Sequence, residues 1–566
     1  MAEIRFDRTP RFAELTEWLQ QLAADHPGLV ALDTLGRSHE GRELWIATVT
    51  NTATGPHHEK PAVWLDGNIH ASETTASVAL VHLLHRLCTA HGSDERVTRA
   101  LDTRTFYIVP RVNPDGAELA LGEVPFVVRS TVREWPRADQ ADGLVVSDVD
   151  HDGRILQMRV PDANGTWKAS TGDARLLVPR EPDEDGAGPY YRLLREGRVQ
   201  GYDGVRVPTA APLAGIDSNR NFPYDWERYP GKAPTGAGDH PLSEPEVRAV
   251  VEGVTARPNI TAYFAYHTFS GVHLRPYGNQ SQDAYPTVDL WTYQELGERY
   301  TAFTGYPSIS ILEGFRYDPK STIGGSGSDW AYDQVGVISW TTEFWNPMKA
   351  AGIDDAHPVE WFRKHPLDDE LKLLAWLDDH VTDGYVDWYP YDHPELGPVE
   401  LGGWNSAAVF RNPPPHLLEA EVAPHTELAI FQALASPRLR WRDTLVEPAG
   451  DGAWRVRVVV ENTGWLPTNV TQRAVERRAV LPLRAEISLP EGAALVTGTE
   501  RCDLGQLAGR ALATSSIGTF GAGSDDTADR AVAEWIVAAP AGGTCEVTVR
   551  HDRAGVVRTS VTLATT

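Results

Sequence analysis

The sequence predicts an α/β protein, a mixed sheet covered by helices on both faces, followed by a small all-β sandwich. Three observations lead to this class. Apolar strand-like runs alternate with helix-period runs between residues 43 and 109. The alternation resumes from 245 to 343, after a long stretch rich in Gly, Pro, Asp and Arg. From about 436 onward, short alternating runs such as RVRVVVEN and LRAEISLP sit between Gly and Pro turns, the pattern of a sandwich.

Residues 11–24 (RFAELTEWLQQLAA) carry apolar side chains at helical spacing and predict a first helix. ELWIATVT at 43–50 and PAVWLD at 61–66 predict strands. ETTASVALVHLLHRLC at 73–88 predicts a helix, and RTFYIV at 104–109 a strand stopped by Pro110. Residues 130–215 hold only short apolar runs and predict a long insertion with limited structure of its own. Beyond it come a helix at 245–256, a strand at 260–266 (ITAYFAY), helices at 290–304 and 326–335, a strand at 337–343 (VISWTTE) and an amphipathic helix at 367–382. Residues 384–415, rich in Pro, Gly and Trp, read as a connector, and 416–434 as a helix. The expected division is an α/β domain over 1–390 carrying the insertion, a connector over 391–435 and a sandwich over 436–566.

A chain of 566 residues suggests two to four domains and ample core. Its 52 basic and 78 acidic residues give a net charge of −26. A field of that sign repels nucleic acid and anionic membrane, so neither is expected as a partner. Three scattered cysteines form neither a disulfide framework nor a thiolate metal site. No run of about 18 apolar residues is present, so no membrane insertion is expected. The opening MAEIRFDRTPRFAEL lacks an apolar leader, which predicts a cytoplasmic protein, or a secreted one if a signal was removed. No pattern bears on oligomeric state.

His70 and Glu73 in DGNIHASET follow a predicted strand and open a predicted helix. An i, i+3 pair there can aim both side chains at one centre, and imidazole nitrogen with carboxylate oxygen suits zinc. Alone, such a pair arises often by chance. A third ligand is expected at a strand end on the same sheet edge, where His267 of ITAYFAYHTFSG stands.

Further motifs follow in order: PRVNPDG at 110–116, IDSNRNFPYDW at 216–226, and DWAYDQVGVISWTTEFW at 329–345. The succession HxxE, NPDG, DxNRN, HTFSG and a strand ending in TTEF resembles the zinc carboxypeptidases of the carboxypeptidase A/B type, over about residues 10–385 without the insertion. The resemblance implies that family's fold, a peptide substrate, one catalytic Zn2+ held by His70, Glu73 and His267, and Glu343 as general base. It implies that Asn219 and Arg220 clamp the substrate's C-terminal carboxylate, for which a guanidinium fork is well shaped. Asp217 matches an acid that orients a zinc histidine, and Arg129, with Arg133 as the alternative, matches the arginine that polarises the scissile carbonyl.

Some positions depart from the family pattern. Its substrate-binding tyrosine lies about eight residues before the Asp-Trp pair, near Ser321 here, with Tyr317 the available substitute. The side-chain pocket residue is Ser328, which argues mildly against a specialist for basic residues. DVDHDG places Asp148, Asp150 and Asp152 at calcium-loop spacing and could hold a structural Ca2+, although position 12 is Arg159 and an acidic surface turn reads equally well. The insertion is expected over the mouth of the site. Trp404, Trp441, Trp454 and Trp465 read as packing residues.

The expected function is zinc-dependent removal of a C-terminal residue from peptides. One alternative is hydrolysis of a γ-D-glutamyl or other non-standard amide in cell-wall peptides, which a panel of such substrates distinguishes. Another is a non-catalytic, zinc-dependent binding protein, usually marked by loss of a ligand or of the base.

Overall fold

The computed structural model describes residues 3–125, 128–135, 142–186, 188–210, 215–228, 236–316, 318, 320–450, 452–511 and 527–564. Its centre is an eight-stranded mixed sheet. Across it the strands run Val30–Arg37, Glu43–Val49, Thr105–Val109, Ala62–Gly67, Ile260–Thr268, Ile338–Phe344, Val272–Arg275 and Ser308–Ser310. Thr105–Val109, Ala62–Gly67, Ile260–Thr268 and Ile338–Phe344 are mutually parallel. These four are buried at every position, which is why they read as continuous apolar runs rather than alternating ones. Helices Phe12–Asp25, Thr75–Ala90, Pro245–Thr255, Thr287–Thr304 and Pro415–Ala435 pack around the sheet.

The insertion differs from its expectation. Its described residues form strands at Gly143–Val146, Gln157–Pro161, Trp167–Ala169, Leu177–Pro179, Tyr191–Arg195 and Gly197–Gln200. Four of them join a six-stranded sheet with the hairpin Tyr385–His393 and Gly397–Trp404, which lies in the stretch read as a connector. The reason is physical: the strands of the insertion are short, and Gln157–Pro161 joins the hairpin through Gly397–Trp404, some 240 positions later, a pairing that leaves no local signal. Helix Pro415–Ala435 packs on Thr75–Ala90, and its Val422, Ile430 and Ala433 lie in the core of the main sheet.

Two four-stranded antiparallel sheets follow. One is Leu439–Gly450, Ala453–Asn462, Arg530–Ala538 and Ala494–Thr497; the other is Arg501–Asp503, Arg484–Ser488, Thr544–His551 and Gly555–Thr562. Trp535, Val456, Val549 and Cys545 fill the core between them. All three cysteines are free thiols. No helix among the described residues is long and apolar enough to cross a membrane.

The core buries several carboxyls, and this sets a pH dependence. Burial pushes Glu246, Asp329 and Glu421 up to about 7. Burial also pushes His82 down to about 4, and His273 and His551 to about 3. Below pH ~6.5 the two sets oppose each other, because the unfolded chain binds protons at those histidines while the folded chain holds them on the carboxyls. Between about pH 6.5 and 8 the raised carboxyls make stability fall as pH rises, while the histidines, which the unfolded chain still partly protonates up to about pH 7.5, offset much of that fall. Burial lowers Lys60 to about 8, which reverses the slope above that point.

Candidate metal centre and active site

The site lies at the carboxyl ends of three adjacent parallel strands, the usual location in an open α/β sheet. Strand Ala62–Gly67 leads into a turn at Asn68, which takes left-handed φ of 58° and donates its side-chain amide to the carbonyls of His70 (2.7 Å) and Ala71 (3.2 Å). That turn delivers His70 and Glu73 to the mouth of helix Thr75–Ala90. His267 and Glu343 are register partners on Ile260–Thr268 and Ile338–Phe344, so the pairing of these strands sets them side by side.

The ligand atoms of His70, Glu73 and His267 lie within 4.8 Å of one another, and all three residues are buried. His70 Nδ1 is 2.9 Å from Glu73 Oε1, His267 Nδ1 is 2.9 Å from Glu73 Oε2, and the two Nδ1 atoms are 3.1 Å apart. Burial alone would raise the Glu73 carboxyl, but His70 and His267 outweigh it and hold it well below the usual range. Two imidazoles and one carboxylate with converging lone pairs form the donor set that zinc accepts, so the residues fit that ion. Asp217 Oδ1 stands 3.2 Å from His70 Nε2, the contact that fixes the orientation of a ligating ring.

Glu343 is buried beside this cluster, and its Oε2 has no hydrogen-bond partner. Burial first, then the Glu73 charge, pushes its carboxyl up to about 8. Arg129 reaches the same centre: its Nε donates to Asp217 Oδ2 at 3.0 Å, and Nη1 lies 3.7 Å from Glu73 Oε1. Asp217 is held well below the usual range despite burial by Arg129, Arg220 and His70. Arg133, the alternative to Arg129, instead pairs with Glu244 at 2.8 Å.

Asn219 and Arg220 follow Asp217 in one short turn. Asn219 Oδ1 accepts from Gly327 N at 2.9 Å, which ties this turn to the helix Gly327–Trp330 bearing Ser328. The approach is so close that a Cβ at Gly325, where φ is +68°, would sit 2.1 Å from the Arg220 carbonyl oxygen. Ser328 is buried, and its carbonyl accepts from Ser339 Oγ at 2.6 Å. Tyr317 lies outside the described residues.

Two residues of the NPDG motif, which entered the resemblance without a role of their own, hold the site together. Asn113 of NPDG donates to the carbonyls of Ile69 (3.2 Å) and Ser130 (2.6 Å), binding the His70 turn to the Arg129 segment. Gly116 of the same motif must be glycine, since a Cβ there would meet Ser130 O at 2.7 Å and Ala71 Cβ at 2.8 Å. The motif is thus a clamp between two site loops. Arg411 and Phe269 also border the centre, with the guanidinium 5.5 Å over the ring.

Asp148, Asp150 and Glu196 bring carboxylate oxygens within 4.8 Å, while Asp152 pairs with Arg154 at 2.5 Å. These acids accept hydrogen bonds from His151 N, Gly153 N, Val149 N and Leu156 N, and Tyr389 Oη donates to Asp150. Asp148 caps its own turn, Glu196 satisfies the amides of the 149–156 loop, and calcium is not supported.

A cluster of two histidines and a glutamate beside an unpaired buried carboxylate, on the carboxyl edge of a parallel α/β sheet, defines a candidate single-metal centre. The chain belongs to the zinc carboxypeptidase family, whose model matches residues 15–354. A second model, for a domain of unknown function, matches 438–562. Carboxypeptidase A1 of Rattus norvegicus is 26% identical over 330 residues, 58% of this chain and 61% of that protein, so the chain spans about three fifths of its length. A zinc carboxypeptidase of Simulium vittatum is 25% identical over 336 residues, 58% of this chain and 83% of that one. The crystal structure of carboxypeptidase A from Helicoverpa armigera matches at 17% identity and a TM-score of 0.39, covering 66% of this chain and 73% of that one.

Proposed function

We propose that this protein is a metallocarboxypeptidase that hydrolyses the C-terminal bond of peptides. The observation that carries the reading is Glu343, buried with a free Oε2 in register with His267 and next to the His70–Glu73–His267 donor set. A zinc ion held by those three residues supplies Lewis acidity and makes a water molecule acidic near pH ~7. Glu343 Oε2 accepts the proton of the attacking water and later delivers it to the leaving amine. Arg129 donates to the oxygen of the scissile carbonyl as negative charge develops on it. Asn219 and Arg220 grip the substrate's terminal carboxylate, which restricts cleavage to the last residue. Asp217 steadies His70, and Ser328 lies by the pocket for the departing side chain.

The test is a library of short peptides followed by mass spectrometry. Single C-terminal residues are expected to disappear, a chelator to stop the reaction and added zinc to restore it. Amidated copies of the same peptides are expected to resist. Arg220→Ala is expected to raise KM for free-acid peptides roughly 10-fold or more, the cost of losing a charge-assisted pair. Equal cleavage of amidated and free-acid peptides would refute the clamp. Cleavage confined to γ-D-glutamyl cell-wall peptides would replace the substrate class.

A further inference from the structure

Beside the centre lies a cavity of about 370 Å³ whose walls come mostly from outside the segment matched by the family model. Trp167, Leu177 and Leu193 of the insertion form one side; Trp361, Trp388 and Trp404 line the other. Phe269, two residues beyond His267, and Arg411, whose charge acts on Glu343, close it on the side of the cluster.

Several polar tips in this wall are already used within it. Trp388 Nε1 and Tyr385 Oη both donate to the Arg175 carbonyl, the indole at 2.7 Å. Trp361 Nε1 donates to Asp369 at 3.1 Å, and His365 stacks on Trp361 while pairing with Glu370 at 3.1 Å. Arg159 sits 4.7 Å from the ring centres of both Tyr191 and Trp388 and pairs with Glu400, which stiffens the wall from behind. What faces the cavity is carbon surface, with few donors or acceptors left for sugar hydroxyls. A space of this size and lining takes an aromatic ring.

We infer that this cavity is a subsite for an aromatic side chain of the peptide on the amino-terminal side of the cleaved bond. The inference rests on the carboxypeptidase reading above. None of the lining residues belongs to the Asn219–Arg220 turn or to the helix with Ser328. A peptide held there by its carboxylate, with its scissile carbonyl at the cluster, can reach the cavity past Phe269 only with the residues that precede that bond. The insertion and the late hairpin therefore make a substrate-reading wall.

The test compares acetylated tripeptides that share one C-terminal residue and carry Phe, Trp or Ala at the two positions before it. The expected result is kcat/KM roughly 10-fold or more higher for the aromatic peptides, the ratio for burying one such side chain. Trp404→Ala, which removes a lining ring, and Leu177→Trp, which fills the space, are each expected to bring the ratio toward one. Equal rates for Phe, Trp and Ala in the unmodified protein would overturn the subsite and leave the carboxypeptidase reading intact. A ratio that survives in either folded variant would overturn its location. Failure to cleave any of these peptides would overturn both readings together.

Discussion

Glu343→Gln is expected to lower kcat for C-terminal hydrolysis by roughly 10²–10⁴-fold, the usual contribution of a positioned general base. Zinc stoichiometry is expected to stay at that of the unmodified protein, because none of the three donor side chains is touched. The amide fills the same space but cannot accept and return a proton. The environment makes this carboxyl distinctive: it is buried, its Oε2 is unpaired and Glu73 repels its charge. Burial and the neighbouring Glu73 charge raise its carboxyl above the usual range when no cation is nearby. A divalent ion at the adjacent donors lowers it again, so binding near pH 7 is expected to release a proton that Glu343→Gln does not release. Turnover by elemental zinc content and calorimetry in two buffers of different ionisation heat measure both effects. A variant with more than a tenth of the original kcat, at full zinc content, would rule out the role.

The second large effect is expected far from the chemistry. Arg553→Met should destabilise the protein by roughly 2–4 kcal/mol, since it strands buried carbonyls. Arg553 is buried in the interface between the sandwich and the α/β domain, where its Nη1 donates to Gly336 O (2.8 Å) and Asn469 O (3.0 Å), and Nη2 to Val335 O (2.6 Å). Burial brings its guanidinium down to about 10, still charged at neutral pH. Thr471 Oγ1 donates to the same Gly336 carbonyl at 2.7 Å, and Arg477 pairs with Asp333 at 2.6 Å. The anchored turn connects the helix holding Ser328 to the strand holding Glu343. The substitution is therefore also expected to lower kcat/KM several-fold, a change that loosening elsewhere in the sandwich would not produce. Denaturant unfolding with parallel kinetics decides it; an unchanged midpoint would show that the sandwich does not brace this turn.

Much of the site was legible because its chemistry is local in the chain. His70 and Glu73 stand three residues apart at a helix mouth, Asp217, Asn219 and Arg220 share one turn, and His267 and Glu343 each end an apolar strand. The choice between Arg129 and Arg133 was not local; it depended on which guanidinium reaches Asp217 and which is taken by Glu244. The sheet of the insertion escaped because its strands are short, and the one that joins it to the hairpin at 385–404 finds its partner far away in sequence. Trp404 looked like a packing residue because only the folded hairpin shows that it lines the cavity.

The sequence by itself determined the layered α/β scaffold, the sandwich and the residue types of the candidate metal centre, since strand and helix periodicity and short ligand motifs depend on neighbours within one or two turns of chain. Tertiary structure alone decided the insertion's sheet, the aromatic cavity beside Phe269 and the burial of Arg553 under the 331–336 turn. Each of these joins segments a hundred or more residues apart, and whether such segments meet is settled by shape and hydrogen-bond complementarity that appears only when the chain is folded.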